Sequence, residues 1–179
     1  MIKEMVRIIL FLFLSLGFLS ITAQNVAYID SEYILKNIPE YEEAQKELNE
    51  LSKRWQSEIE RKQEYIEKKR EDYLAEEILL TDNMKSKRKE DIIKLEDELK
   101  EFKKEKFGVD GELFKKRKEL IKPIQEKVYK AVQQTASIGR YTIIFDKASK
   151  GLTMVYTNAK YDKSDDVLRR MGYKPGDVR

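Results

Sequence analysis

The amino-acid sequence predicts an α+β, mostly helical protein in which a long two-helix coiled-coil arm projects from a small β-rich body. Residues 41–107 contain no glycine or proline, and they place an apolar residue every three or four positions among closely spaced charges. This pattern is typical of a helix with a narrow apolar stripe. Short apolar segments at 26–29 and 141–146 are typical of strands. We therefore expect an arm over 41–123 and a body that combines 24–40 with 124–179.

The composition excludes several classes of chemistry. The 179 residues include neither cysteine nor histidine, which excludes disulfides, thiol nucleophiles, histidine acid/base catalysis and the usual zinc sites. Charged residues make up 39% of the chain, yet the net charge is only +3, so positive and negative side chains are mixed. Such mixing is typical of solvated helix faces and argues against a nucleic-acid partner. No cofactor is expected.

The first 23 residues have the pattern of a secretory signal peptide. Lys3 and Arg7 precede an apolar run over 8–19, and small residues then place a cleavage site after Ala23. Ile21 is larger than the residue usually found three positions before such a site. The alternative is an uncleaved N-terminal anchor, although the apolar run is short for a membrane crossing. We expect a soluble protein in a bacterial periplasm.

The next segment predicts a strand, a short helix and then the long outward helix. Residues 26–29 are apolar, and the side chains of Asp30 and Ser31 are suited to capping a helix over 31–38. Pro39 ends that helix, and the long helix starts after it. The apolar seam of the long helix consists of Tyr41, Ala44, Leu48, Leu51, Trp55, Ile59, Ile66 and Tyr73.

The chain is predicted to reverse at 79–84. The residues at 81–83 favour turns and helix caps, and a returning helix then runs over 84–139, where a glycine ends it. Three residues disturb the helical pattern of this return, and we interpret them as bends or flexible hinge points: Gly108, Gly111 and Pro123.

Helix lengths favour this reversal over one at Gly108. A turn near Asp82 gives an outward helix of roughly 60 Å and a return of roughly 80 Å at 1.5 Å per residue. A turn at Gly108 would give roughly 100 Å and roughly 40 Å, so the strands near the two ends of the chain would not meet. Since 141–146 and 152–156 would form only a marginal hairpin, we expect 26–29 to join them as a third strand.

Several segments of the mature chain carry a family resemblance. The first strand with its Asp30, the Pro-Ile pair at 123–124 and the Tyr-x-Ile-Ile-Phe-Asp strand at 141–146 resemble the Skp/OmpH family of periplasmic chaperones. The last short helix, from 163 onward, is also similar. The resemblance implies a homotrimer in which a trimerisation body gathers three helical arms around a cavity. It further implies that unfolded outer-membrane proteins are held there without ATP.

Apolar residues that exceed what one seam can bury are the candidate client contacts. Trp55 and Ile66 are interpreted as seam residues instead, and apolar residues at the tip are equally compatible with closing the hairpin. The client-binding candidates are Tyr65, Tyr73, Leu74, Leu79, Leu80, Met84, Phe107 and Phe114. The candidate residues of the trimerisation body are Val26, Tyr28, Ile29, Ile143, Ile144, Phe145, Met154 and Tyr156.

Other functions are weighed against this one. A basic cluster past the tip is compatible with transient contact with anionic lipid, although a solvated helix face is the favoured interpretation because the surrounding charges are mixed. Its members are Lys85, Lys87, Arg88 and Lys89. Catalysis is not expected, because carboxylates on exposed helix faces form no pocket and because Asp30 and Asp146 are suited to caps and turns. The alternative function is an extracytoplasmic coiled-coil spacer or adaptor in the cell envelope.

Overall fold

The computed structural model describes residues 25–151 and 153–176, and the predicted signal peptide at 1–23 lies outside them. The fold is α+β and mostly helical, as the sequence predicts. In chain order its elements are β1 (Val26–Ile29), α1 (Ser31–Lys36), α2 (Pro39–Glu76), a 3-10 turn (Glu77–Leu79), α3 (Asp82–Phe107), α4 (Glu112–Gly139), β2 (Ile143–Asp146), a second 3-10 turn (Ala159–Tyr161) and α5 (Ser164–Arg170).

The sheet joins two distant parts of the chain. Within the described residues it has two strands, β1 and β2, which run parallel with Val26 opposite Ile143 and Ile29 opposite Asp146. Parallel strands cannot be joined by a tight turn and need a long crossover connection. Here the whole helical excursion from α1 to α4 is that crossover, so the arm begins and ends at the same small sheet.

The predicted third strand is not formed. Residues 153–156 have no strand pairing, and residue 152 lies outside the described part. After β2 the chain crosses to the other side of β1, where Asp162 pairs with Tyr28 and the Lys163 N–H donates to the Tyr28 carbonyl at 2.9 Å. Both sides of β1 are therefore occupied. Met154 is half-buried, whereas Val155 is 95% exposed and Tyr156 is 82% exposed.

The body core lies where α1, α5 and the ends of α2 and α4 meet. Four of its side chains are almost fully buried: Ile34, Ile38, Val167 and Leu168. Ala44 and Leu48, predicted as arm seam residues, belong to this same cluster, together with Ile121, Ile124 and Val128 of the returning helix. The first turns of α2 and most of α4 are thus part of the body packing, and the free arm starts farther out.

Helix ends follow local backbone chemistry. Pro39 does more than terminate α1, because it is the first residue of α2, where its missing N–H costs nothing. Ile38 is the capping residue between the two helices. At the far end α4 includes Gly139, and Arg140 adopts the left-handed conformation with φ 50°. A Cβ on Gly139 would lie 2.1 Å from the Tyr141 ring, so a larger residue there would require that ring to move.

The predicted roles of Asp30 and Asp146 as cap and turn residues are confirmed. The Asp30 carboxylate accepts from the Tyr33 N–H at 2.9 Å and caps α1. The Asp146 carboxylate accepts from the Ser31 N–H at 3.1 Å and from the Ser31 hydroxyl at 2.7 Å. Ser164 of α5 accepts from the Asp30 N–H at 2.8 Å. These bonds fasten the end of β2 and the start of α5 to the junction between β1 and α1.

Replacing Asp146 with alanine is expected to lower the free energy of unfolding by about 2 kcal/mol, because the Ser31 amide and hydroxyl both lose their acceptor. Urea unfolding at fixed protein concentration measures the change. Asp91→Ala, at an exposed position of α3, is the control and is expected to change stability by less than about 0.5 kcal/mol. Equal losses in the two variants would contradict the role given to Asp146.

Candidate functional site

The distal arm has its own small core. Ile59 and Ile66 of α2 are buried against Leu99 of α3, with Ile92, Leu95 and Phe102 half-buried around them. This cluster is separate from the body core. Ion pairs also cross between the helices on the solvent side, where Arg70 binds Glu96 and the Arg88 guanidinium lies 3.4 Å from the Glu76 carboxylate. Exposed pairs of this kind each contribute at most about 1 kcal/mol, so the apolar seam provides most of the arm's cohesion.

The reversal occurs at the predicted place and leaves apolar side chains in solvent. The 3-10 turn over Glu77–Leu79 ends α2, and the Thr81 hydroxyl caps α3 by accepting from the Met84 N–H at 3.4 Å. Beside this turn lies a surface that we call the tip patch, which consists of Leu74, Ile78, Leu79 and Met84, with exposed fractions of 67%, 90%, 81% and 50%. Leu80 is half-buried.

One member of the tip patch escaped sequence reasoning. Ile78 directly precedes Leu79 in the same apolar run. The helical spacing of the seam does not by itself identify Ile78 as an exposed residue. The switch to a 3-10 turn at Glu77 changes the direction of the following side chains. The run of three apolar residues at 78–80 was the signal available in the sequence.

Two predicted contact residues are engaged within the arm. Tyr73 is buried, and its hydroxyl donates to the Glu77 carboxylate at 2.7 Å, so its prediction as a client contact is corrected to that of a seam residue. Burial raises the pKa of the Tyr73 hydroxyl above its usual value. Phe107 is partly exposed and packs edge-to-face on Trp55, with ring centroids 6.0 Å apart. Tyr65 and Phe114 are half-exposed, in agreement with their selection as surface residues.

The basic cluster past the tip is divided by local contacts. Arg88 pairs with Glu76, and the Lys89 ammonium lies 5.6 Å from the centre of the Tyr73 ring. Lys85 is half-buried, whereas Lys87 is exposed. The four cations therefore do not present one uniform basic surface, and lipid contact by them stays a prediction.

The glycine pair at 108 and 111 separates two helices. A Cβ on Gly111 would lie 2.8 Å from the Glu105 carbonyl oxygen and from the Gly108 nitrogen, so the chain passes here with no room for a side chain. The Lys106 ammonium spans the break, since it lies 2.7 Å from the Glu112 carboxylate of α4 and 5.4 Å from the Trp55 ring of α2. Hydrogen bonds to Glu112 and then Glu105 raise the pKa of Lys106. Pro123, the third hinge candidate, lies inside α4, which continues through it.

The predicted body residues differ in how far the protomer buries them. Tyr28 and Ile29 are buried within the protomer, and Ile144 and Phe145 are half-buried. Val26 and Ile143 lie directly opposite each other and are exposed. Beyond β2, Met154 is half-buried and Tyr156 is 82% exposed. Val26, Ile143 and Tyr156 are thus predicted body residues whose apolar side chains are not covered within the protomer.

Within the described part of the chain, none of the helices is both long and apolar enough to cross a membrane. No curated protein matches the sequence. A solved structure of a candidate outer membrane chaperone (OmpH-like) from Caulobacter crescentus CB15 is similar, with a TM-score of 0.65 at 9% identity over 84% of this chain and 85% of that one. At this identity the likeness establishes the fold. The family model for outer membrane protein (OmpH-like) matches residues 25–171. The chain therefore belongs to the OmpH-like family.

Proposed function

We propose that this protein is a holdase chaperone of the periplasm, which keeps unfolded outer-membrane proteins apart without ATP. The observation that carries this proposal is the tip patch, where four large apolar side chains remain in solvent around the reversal of a highly charged arm. Exposed apolar groups of this size mark interaction surfaces. Family membership and the shared fold of the Caulobacter chaperone candidate support the same role.

Weak and distributed contacts suit such a task. Each tip side chain is exposed, so its contact with an unfolded chain buries little apolar area. Such a contact is weak, and the client can be released quickly. The adjacent charges keep the arm itself in water. Several arms acting on one client would raise its effective concentration at the next arm, so total affinity can be high while each contact remains weak.

A homotrimer would bring the arms together around a cavity. Two features of the body support association. The apolar side chains of Val26, Ile143, Val155 and Tyr156 are exposed, and the outer edge of β2 has no strand partner among the described residues. An uncovered strand edge is a template for pairing with another chain. A second copy can cover both features.

Native mass spectrometry of the mature protein is expected to give the trimer mass. The variant Val155→Ser with Tyr156→Ser is expected to shift the population toward monomer, because both side chains are exposed in the protomer and would be covered only by another copy. If the unmodified protein is a monomer at micromolar concentration, the proposed cavity between arms is contradicted. If the variant is still a trimer, Val155 and Tyr156 are not part of the interface.

The tip patch is tested by suppression of aggregation. The triple variant Leu74→Ser, Ile78→Ser and Leu79→Ser is expected to need a several-fold higher concentration than the unmodified protein to suppress light scattering by a urea-unfolded β-barrel protein. The control places methionine at the same three positions, which keeps the surface apolar, and is expected to retain activity. Circular dichroism checks that both variants keep their helices.

The outcomes separate the chaperone from the alternative function. If scattering rises equally with and without the unmodified protein, the holdase proposal fails, and a spacer or adaptor of the cell envelope becomes the better description. If the serine and methionine variants behave alike, the protein is a chaperone whose apolar contacts lie elsewhere. Transient contact with anionic lipid through the basic cluster is compatible with either function.

A further inference from the structure

A groove at the base of the arm differs in its charge from the grooves farther along the arm. It lies between the start of α2 and the first half of α4 and encloses about 470 Å³. Ile121 forms its buried floor, and the half-exposed rings of Tyr41 and Phe114 stand at its sides. The remaining lining residues are Gln45, Arg117, Lys118, Lys122 and Gln125. We call this surface the basic groove.

Its charge is of one sign, which is unusual for this chain. Three cations and no carboxylate line the basic groove. By contrast, the groove beside Arg70 also contains Glu67 and Glu96, and the groove at the glycine break contains four carboxylates. Lys122 lies 3.7 Å from Glu126 in an exposed pair. In the described part of the chain, Arg117 and Lys118 make no ion pair, so both cations are available to an anionic ligand.

The length of the groove indicates the shape of its ligand. The lining on α4 extends from 114 to 125, which is about 16 Å at the rise of a helix. An extended peptide of about five residues covers this distance. Alternate side chains of an extended peptide face the same way, so the first, third and fifth of them would face the groove. Aromatic rings and the floor provide apolar contact, and the cations provide charge.

We propose that the basic groove binds an extended, acidic segment of a client protein, in which a carboxylate lies between large apolar side chains. This inference rests on the proposed chaperone function and assigns it a second contact, distinct from the tip patch. Arg117 and Lys118 would bind the carboxylate, and Phe114 would cover an apolar neighbour. Along α4 the cations Arg117 and Lys118 lie between Phe114 and Ile121, and this order matches a carboxylate flanked by apolar side chains, which favours a peptide over a lipid with its charge at one end.

Nuclear magnetic resonance tests this assignment on the full mature protein. The probe is a capped seven-residue peptide of serine with phenylalanine at its second and sixth positions and aspartate at its fourth. Titration is expected to shift backbone resonances of residues 41–45 and 114–125. Arg117→Gln with Lys118→Gln is expected to weaken binding about tenfold, because two exposed charge interactions are lost. The control, Lys53→Gln with Arg54→Gln on the exposed face of α2, is expected to bind normally.

Two further titrations make the result decisive. The same peptide with lysine in place of aspartate is expected to bind at least tenfold more weakly, and equal binding would overturn the proposal. Dodecyl phosphate below its micelle concentration probes an anionic amphiphile; shifts in the groove with this compound but not with the aspartate peptide would also overturn it. If the protein suppresses aggregation but the aspartate peptide does not shift its backbone resonances, the groove assignment is overturned and the chaperone function is not. Peptide binding without suppression of aggregation would instead overturn the chaperone function.

Discussion

Replacing Leu168 with alanine is expected to lower the free energy of unfolding by about 3 kcal/mol, the largest effect of any single truncation proposed for the body. Leu168 has no exposed surface and belongs to the cluster that joins α5 to α1, α2 and α4. Truncation removes apolar contact and leaves a cavity, and the helices around it are too constrained to close it. α5 has only seven residues, so it depends on this packing for its place.

Urea unfolding monitored by circular dichroism measures this loss. Protein concentration must be the same for each variant, because association adds to apparent stability. Ile138→Ala is the control, since Ile138 is largely exposed near the end of α4, and it is expected to change stability by less than about 0.5 kcal/mol. A loss below about 1 kcal/mol for Leu168→Ala would show that α5 is not an integral part of the body core.

Replacing Leu99 with alanine is expected to destabilise the distal arm by about 2 to 3 kcal/mol. Leu99 is the buried residue that α3 contributes to the arm core, opposite Ile59 and Ile66. The arm core is small and separate from the body core, so the damage is expected to stay local. Native-state hydrogen exchange is expected to accelerate over much of residues 59–102, while amides of β1 and β2 keep their protection.

Ile93→Ala provides the matched control for Leu99. It lies on the same helix, but its side chain is largely exposed, so its exchange rates are expected to stay close to those of the unmodified protein. If Leu99→Ala accelerates exchange equally in the sheet and in the arm, the two regions unfold as one cooperative unit. That result would contradict the independence of the arm core.

The features that sequence reasoning predicted correctly are those with a local cause. The reversal follows from turn and cap chemistry at 81–83, and Thr81 is the cap residue in the structure. The pairing of β1 with β2 follows from helix lengths, because only a reversal near the tip brings the two strands together. Asp30 caps α1 because it directly precedes the first turn of the helix. In each case neighbouring residues, or simple distances along a helix, determine the result.

The features that were missed depend on contacts between distant segments. The periodicity of α2 predicts one continuous seam, yet Ala44 and Leu48 face the body core and Ile59 faces the arm core, because α4 replaces α3 as the partner helix. The corner around Lys106 combines side chains of three helices, which no single helical pattern reveals. Residues 153–156 have strand-like composition, but they form no hairpin with β2, because the chain instead passes to the far side of β1 and pairs there at Asp162.

The reversal at the tip is tested most directly by one distance in solution. The chain lacks cysteine, so spin labels on Arg70→Cys and Glu96→Cys report this pair alone once labelled protein is diluted with unlabelled protein. Arg70 and Glu96 pair across α2 and α3 in the structure, and double electron–electron resonance is therefore expected to give a separation below about 20 Å, since packed helix axes lie about 10 Å apart. A separation near 40 Å, the length of 26 residues of continuous helix at about 1.5 Å each, would contradict the hairpin.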